Sequence, residues 1–234
     1  MSDGQIVRVD NIEIAIEPWS WRFAIAHRNE IDRYFARLQQ ERSALWNGRA
    51  LLLNRYSIRD GVLRGTCFAT DYASLLAWSD WGFPDQRAFN FFAAAALRSA
   101  DGAYLVGEMA PHTACARQLY FPCGTPEPSD ILIDGTLNLQ ANLRRELLEE
   151  TGIDIDELDT EPGWTVVLDG AVVAIMKKLT AHQDASELRA RIFQNLATEA
   201  QRELSDIWPV RALSDLDDRM PRLLHAFFGN LWRS

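Results

Sequence analysis

Residues 138–153 read NLQANLRRELLEETGI, and this stretch constrains the fold more than any other. Leu139, Leu143 and Leu147 recur at i, i+4 and i+8, so a helix here carries one apolar stripe that must lie on a core. Asn138 is placed to cap its start, and Gly152 suits its end, where a left-handed residue costs little without a Cβ. Glu146, Glu149 and Glu150 stand at i, i+3 and i+4 and therefore share a side of the same helix. Two carboxylates about 5 Å apart at an effective dielectric near 20 repel by roughly 3 kcal/mol, more than an exposed i,i+4 ion pair returns. A positive partner is required, and a divalent cation is the best candidate.

The remaining pattern alternates strands and helices. Ile12, Ile14 and Ile16 alternate within a predicted strand over 6–16, and a helix is predicted from Ser20 to about Leu45. Asn47-Gly48 ends it, and 50–56 and 62–69 form a hairpin across Asp60-Gly61, a pair that tolerates positive φ. A short helix over 71–78 follows, with Thr70 or Asp71 as its cap, and then a linker, Trp81 to Asp85. A second unit starts near Ala88. It has strands at 89–97, 103–107 and 118–122, a Pro/Asp/Gly-rich loop over 124–137 and the acidic helix. A hairpin across Asp169-Gly170, a helix over 185–204, a strand over 207–211 and a helix over 221–232 complete it. This order predicts an α/β (α+β) sandwich with a mixed sheet. Residues 1–87 form a small α+β N-terminal subdomain, and residues 88–234 the main domain.

Composition bounds the function. A net charge of -9 and a pI near 5.0 argue against binding a nucleic-acid polymer, which needs a basic face. Cys67, Cys115 and Cys123 form no CxxC pair and leave an odd count, so neither a zinc site nor a disulfide framework is indicated, and a reducing, cytoplasmic setting is expected. The longest apolar run, Phe91 to Leu97, is too short to cross a bilayer, and no membrane role is expected. His27, His112, His182 and His225 show no ligand spacing. Trp46, Trp78 and Trp81 cluster in the N-terminal half and read first as core or interface, since large aromatics supply buried area.

RELLEETGI, residues 145–153, resembles the second half of the Nudix box, G-x5-E-x7-R-E-U-x-E-E-x-G-U, with U a bulky aliphatic residue. By background composition such a match arises by chance in on the order of one chain in several thousand. The first half departs from the pattern. Gly124 stands at the box glycine, Asp130 replaces the leading Glu, and seven extra residues, Ile131 to Leu137, precede the helix. A loop insertion costs little entropy per residue, so the gapped reading is preferred. Asp130, Glu127 and Asp134 then compete as the partner of Arg145.

The resemblance implies a Nudix-like α/β/α sandwich and a metal-dependent hydrolase of a nucleoside diphosphate linked to another group. It implies that Glu146, Glu149 and Glu150 hold Mg2+ or Mn2+ with the Gly124 carbonyl, and that Arg145 orients these ligands. Hard cations do prefer carboxylate oxygen. Glu203 and Glu199 are candidates for the general base, with a box glutamate as the alternative, and Arg117 and Tyr120 for substrate contacts. Residues 45–77 and the sequence GTPEPSD, with Glu127, are also similar to Nudix-type UDP-sugar pyrophosphatases, so a UDP-sugar or ADP-ribose is among the expected substrates. Two other functions compete: a non-catalytic nucleotide-binding module and an isomerase using Cys123. The N-terminal subdomain is expected to contact substrate or to form a homodimer.

Overall fold

The computed structural model describes residues 4–42, 45–113, 115–198 and 202–233. The alternation at the start predicts one strand, but the chain makes two, β1 (Gln5–Val9) and β2 (Asn11–Ile16). They part at Asp10, whose N–H donates to the Gly61 carbonyl at 2.6 Å. The single helix expected from Ser20 to Leu45 is likewise two, α1 (Arg22–Ala26) and α2 (Arg28–Glu41). Their junction, His27, leaves helical geometry (φ -105°, ψ 17°), and Phe23 and Ile31 on either side of it both reach one core cluster. Next come β3 (Arg49–Arg59) and β4 (Val62–Asp71), joined by Asp60 (φ 51°) and Gly61 (φ 71°), the positive-φ pair that a tight hairpin requires. Asp71 caps α3 (Tyr72–Asp80) by accepting from the Ser74 N–H at 3.0 Å.

β2 runs parallel and β3 antiparallel to β4, giving a three-stranded sheet of order β2-β4-β3. Ala50 and Leu52 of β3 face the core beneath α1 to α3, with Trp21, Phe68 and Trp78, while Leu51 and Leu53 face the opposite core.

The second sheet begins with β5 (Asn90–Arg98), β6 (Tyr104–Met109), β7 (Leu119–Tyr120) and β8 (Cys123–Gly124). After α4 (Leu139–Thr151) it continues through β9 (Asp159–Thr160), β10 (Trp164–Asp169) and β11 (Val172–Thr180). α5 (Ala185–Leu196), β12 (Leu204–Val210) and α6 (Arg222–Arg233) close the chain. The helix expected to reach Leu204 ends eight residues earlier, since Leu204 already belongs to β12. The main path of the sheet runs β1-β10-β11-β5-β6-β12, with β5 and β11 parallel, so the sheet is mixed. β1, assigned by sequence to the N-terminal part, thus pairs with β10 in the larger sheet.

β5 explains the run FFAAAAL. Phe91, Ala93, Ala95 and Leu97 face the core shared with α4 and α5, and Phe92, Ala94 and Ala96 face the one capped by α6. A strand covered on both sides reads as continuously apolar, and four alanines let helices approach closely. Leu139, Leu143 and Leu147 of α4 lie in the first of these cores as their spacing requires.

The extra residues before α4 lie along the small sheet. Leu137 donates to the Ile14 carbonyl and Ile16 to the Gly135 carbonyl, each at 2.8 Å, so the segment adds to the edge of β2. At the other edge Leu51 donates to the Pro126 carbonyl at 2.8 Å. Deleting residues 132–136 should remove the two bonds on β2, costing about 2 kcal/mol, at about 1 kcal/mol each. Thermal denaturation should then show a melting temperature lower by about 4–8 °C.

Candidate active site

α4 brings the box residues together. Its N-cap is Asn138, whose side chain accepts from the Ala141 N–H at 3.0 Å, and it ends at Gly152 with φ 69°. A Cβ on Gly152 would stand 2.4 Å from the Asn195 Cγ, so glycine is required there twice over. With the leucine stripe buried, the carboxylates turn toward β8. Glu150 is 5% exposed and accepts from the Cys123 N–H at 3.3 Å. Glu146 is largely buried over Gly124, where an added Cβ would lie 2.0 Å from its carboxyl carbon. Glu149 projects further into solvent.

The electrostatics follow from burial. Desolvation, only partly offset by Arg145, pushes the Glu146 carboxyl up to about 7, and Glu149 and Glu203 add to the rise. Desolvation pushes Glu150 well above its usual range, with Glu203 and Glu146 adding repulsion. One buried and one largely buried acid beside further carboxylates form a hard-oxygen donor set whose repulsion a divalent cation would relieve. Among the described residues, no group of three or more His, Cys, Asp or Glu side chains is arranged to hold a metal ion. Arg145 instead draws the acids to itself, with Nη1 at 2.6 Å from Glu146 and 3.5 Å from Glu149.

Asp130 is the acid in the box loop that pairs with Arg145, at 3.3 Å, while Asp134 bonds Thr136 and Glu127 bonds Ser129. Asp130 is buried, and it also accepts from the Glu127 N–H at 2.9 Å and from Asn142 Nδ2 at 3.1 Å. Its replacement by alanine leaves three donors short of an acceptor. Asp130→Ala should lower stability by about 2 kcal/mol in a denaturant titration. Turnover should fall about 10- to 100-fold, because the group that orients the box acids is loosened.

A cavity of about 550 Å³ opens over these groups. Tyr120, Cys123, Gly124, Arg145, Glu146, Glu149 and Glu203 line it, as does His112. Arg117 does not: it is exposed in a turn with φ 63°, before the ladder begins at Leu119. Glu199 falls outside the described residues. Burial pushes the Cys123 thiol well up, with Glu150 adding to it, which keeps the sulfur protonated and a poor nucleophile. Sequence reasoning did not anticipate Leu45, Trp46, Tyr72 and Phe92 in the wall. The first three come from the part of the chain before the box domain and carry no signature of their own.

No family model and no curated protein matches the chain. Solved structures do. A MutT protein from Methanosarcina mazei Go1 aligns at 17% identity over 62% of this chain and 94% of its own, with a TM-score of 0.42. The chain resembles Nudix hydrolases. A second, RenU from M. smegmatis, aligns at 15% identity over 62% of this chain and 87% of its own, with a TM-score of 0.42. A bifunctional NMN adenylyltransferase/ADP ribose pyrophosphatase from Francisella tularensis, solved with AMP and a Mn ion, aligns at 13% identity over 68% of this chain and 45% of its own, with a TM-score of 0.43. No described helix is long and apolar enough to cross a membrane.

Proposed function

We propose that the protein is a Nudix-type diphosphohydrolase that splits a nucleoside diphosphate derivative, such as a UDP-sugar or ADP-ribose, at its pyrophosphate bond. The observation that carries the reading is the placement of RELLEETGI: Glu146 and Glu149 line a cavity, Glu150 is buried behind them, and Glu146 stands over a glycine that admits no side chain.

Glu146, Glu149 and Glu150, with the Gly124 carbonyl, would hold Mg2+ or Mn2+. Such an ion, when bound, supplies charge neutralisation for the pyrophosphate oxygens and acidifies water. Arg145 holds the acids in register and is itself oriented by Asp130. Glu203, on the cavity wall and close enough to act on Glu146 and Glu150, would take a proton from the attacking water, with a box glutamate as the alternative. The box loop and the small sheet join through residues 126 and 135–137, so the N-terminal part forms one wall of the same site.

The test is product release from UDP-glucose, ADP-ribose, dinucleoside polyphosphates, coenzyme A and nucleoside triphosphates, each with Mg2+ or Mn2+ and with chelator. The expected result is metal-dependent release of a nucleotide and a phosphorylated second product from at least one diphosphate derivative. Absence of turnover on all of them, with metal-independent nucleotide binding, would favour the binding module instead.

A further inference from the structure

Beside the box acids and Arg145, the cavity lining includes the apolar and aromatic side chains of Leu45, Trp46, Tyr72, Phe92 and Met109. Arg42 approaches this part of the cavity, donating to the Thr113 carbonyl at 3.2 Å, so a nucleotide's charged and aromatic groups both find complementary surface here.

Trp46 is the unusual member. It is 77% exposed, although burying a tryptophan is among the largest hydrophobic gains available to a chain. Trp19, Trp21, Trp78, Trp81 and Trp232 each pack against another aromatic ring, and Trp164 and Trp208 each lie under a cation. Among the described residues Trp46 has neither.

The residues on either side of it are nevertheless held. Gln39 Nε2 donates to the Leu45 carbonyl at 3.0 Å, Asn47 Oδ1 accepts from the Ala73 N–H at 2.8 Å, and the Gly48 carbonyl accepts from the Tyr72 N–H at 2.9 Å. The indole lies against Gly48, where a Cβ would come within 2.6 Å of the ring. The ring thus touches Gly48 on one side, and most of its surface is left exposed beside the cavity.

We infer that Trp46 is the stacking platform for the nucleobase of the substrate, supplied by the N-terminal part of the same chain. This assignment rests on the diphosphohydrolase reading for the substrate's phosphates. The base itself needs only a planar ring and an open indole face, and stacking on an aromatic side chain is worth about 1–3 kcal/mol per base, or about 5- to 150-fold in affinity.

The experiment compares wild type with Trp46→Ala and Trp46→Phe. Calorimetry with UMP, AMP and ribose 5-phosphate, without metal, measures binding; steady-state kinetics on the best substrate of the panel measures turnover. The expected result is a nucleotide Kd and a substrate KM raised about tenfold in Trp46→Ala. The kcat should stay within about twofold, Trp46→Phe should recover most of the loss, and ribose 5-phosphate binding should not change. Melting temperatures should match, because the side chain is exposed.

Unchanged Kd and KM in Trp46→Ala would overturn the assignment, as would an equal loss for ribose 5-phosphate, which would place the sugar on the ring. If no substrate is hydrolysed, the calorimetric arm still decides the role of Trp46, so failure of the catalytic reading and failure of this one are separable.

Discussion

Glu150→Gln is expected to lower the proposed metal-dependent turnover by about 10²- to 10³-fold, the scale on which losing one electrostatic contact to the reacting centre is felt, and at the same time to make the metal-free protein more stable. Both halves follow from the same geometry. Glu150 is 5% exposed and its carboxyl is pushed well up by burial, with Glu203 and Glu146 beside it. A neutral amide of the same shape removes the cost of burying or protonating this carboxylate on folding, and it can still accept from the Cys123 N–H. Glu149→Gln should lose activity on the same scale with little change in stability, because Glu149 is largely exposed. Kinetics and denaturant titration on the two variants check the pair. If RELLEETGI were only a solvated acidic helix, neither variant would lose activity and neither stability would move.

The second large effect is on stability against pH. In the folded chain the Glu146 carboxyl titrates near 7, raised chiefly by desolvation, against about 4.3–4.5 when unfolded. Between these values the folded state binds more protons than the unfolded state, so stability falls as pH rises. Glu146 alone accounts for up to about 3 kcal/mol across this interval, and Glu150 acts in the same direction. Asp85 and Asp217, held low by Arg87 and Arg219, act in the opposite sense, but only below about pH 4. Scanning calorimetry of the metal-free protein should therefore show a melting temperature about 6–12 °C lower at pH 8 than at pH 5. Saturating Mn2+ should restore most of this at pH 8 and much less at pH 5, where protons compete for the same oxygens. A flat profile, or one that rises with pH, would contradict the burial of these acids.

The parts of this account that were legible in the sequence are local. The leucine spacing, Asn138 and Gly152 define α4 because caps and periodicity act within a few residues. Asp60-Gly61 and Asp169-Gly170 likewise mark their hairpins. What was not legible depends on distant partners. The strand over 6–16 breaks at Asp10 because each half pairs with a different sheet, and alternation is the same in both. Three acids in the box loop were equivalent on spacing, and the fold selects Asp130 by burying it against Asn142 and Arg145. The extra residues 131–137 read as slack in a motif, yet they complete the edge of β2. Trp46 read as one more core or interface aromatic because exposure is a property of the assembled cavity and not of the residue type.

The measurement that tests the central claim most directly is hydrolysis of the best diphosphate substrate in 18O-labelled water, with Mg2+ or Mn2+ and with chelator, using wild type and Glu150→Gln. The account predicts one 18O in a phosphate product, a rate that requires the metal, and collapse of that rate in the variant. Turnover that persists in chelator, or persists undiminished in Glu150→Gln, would contradict it.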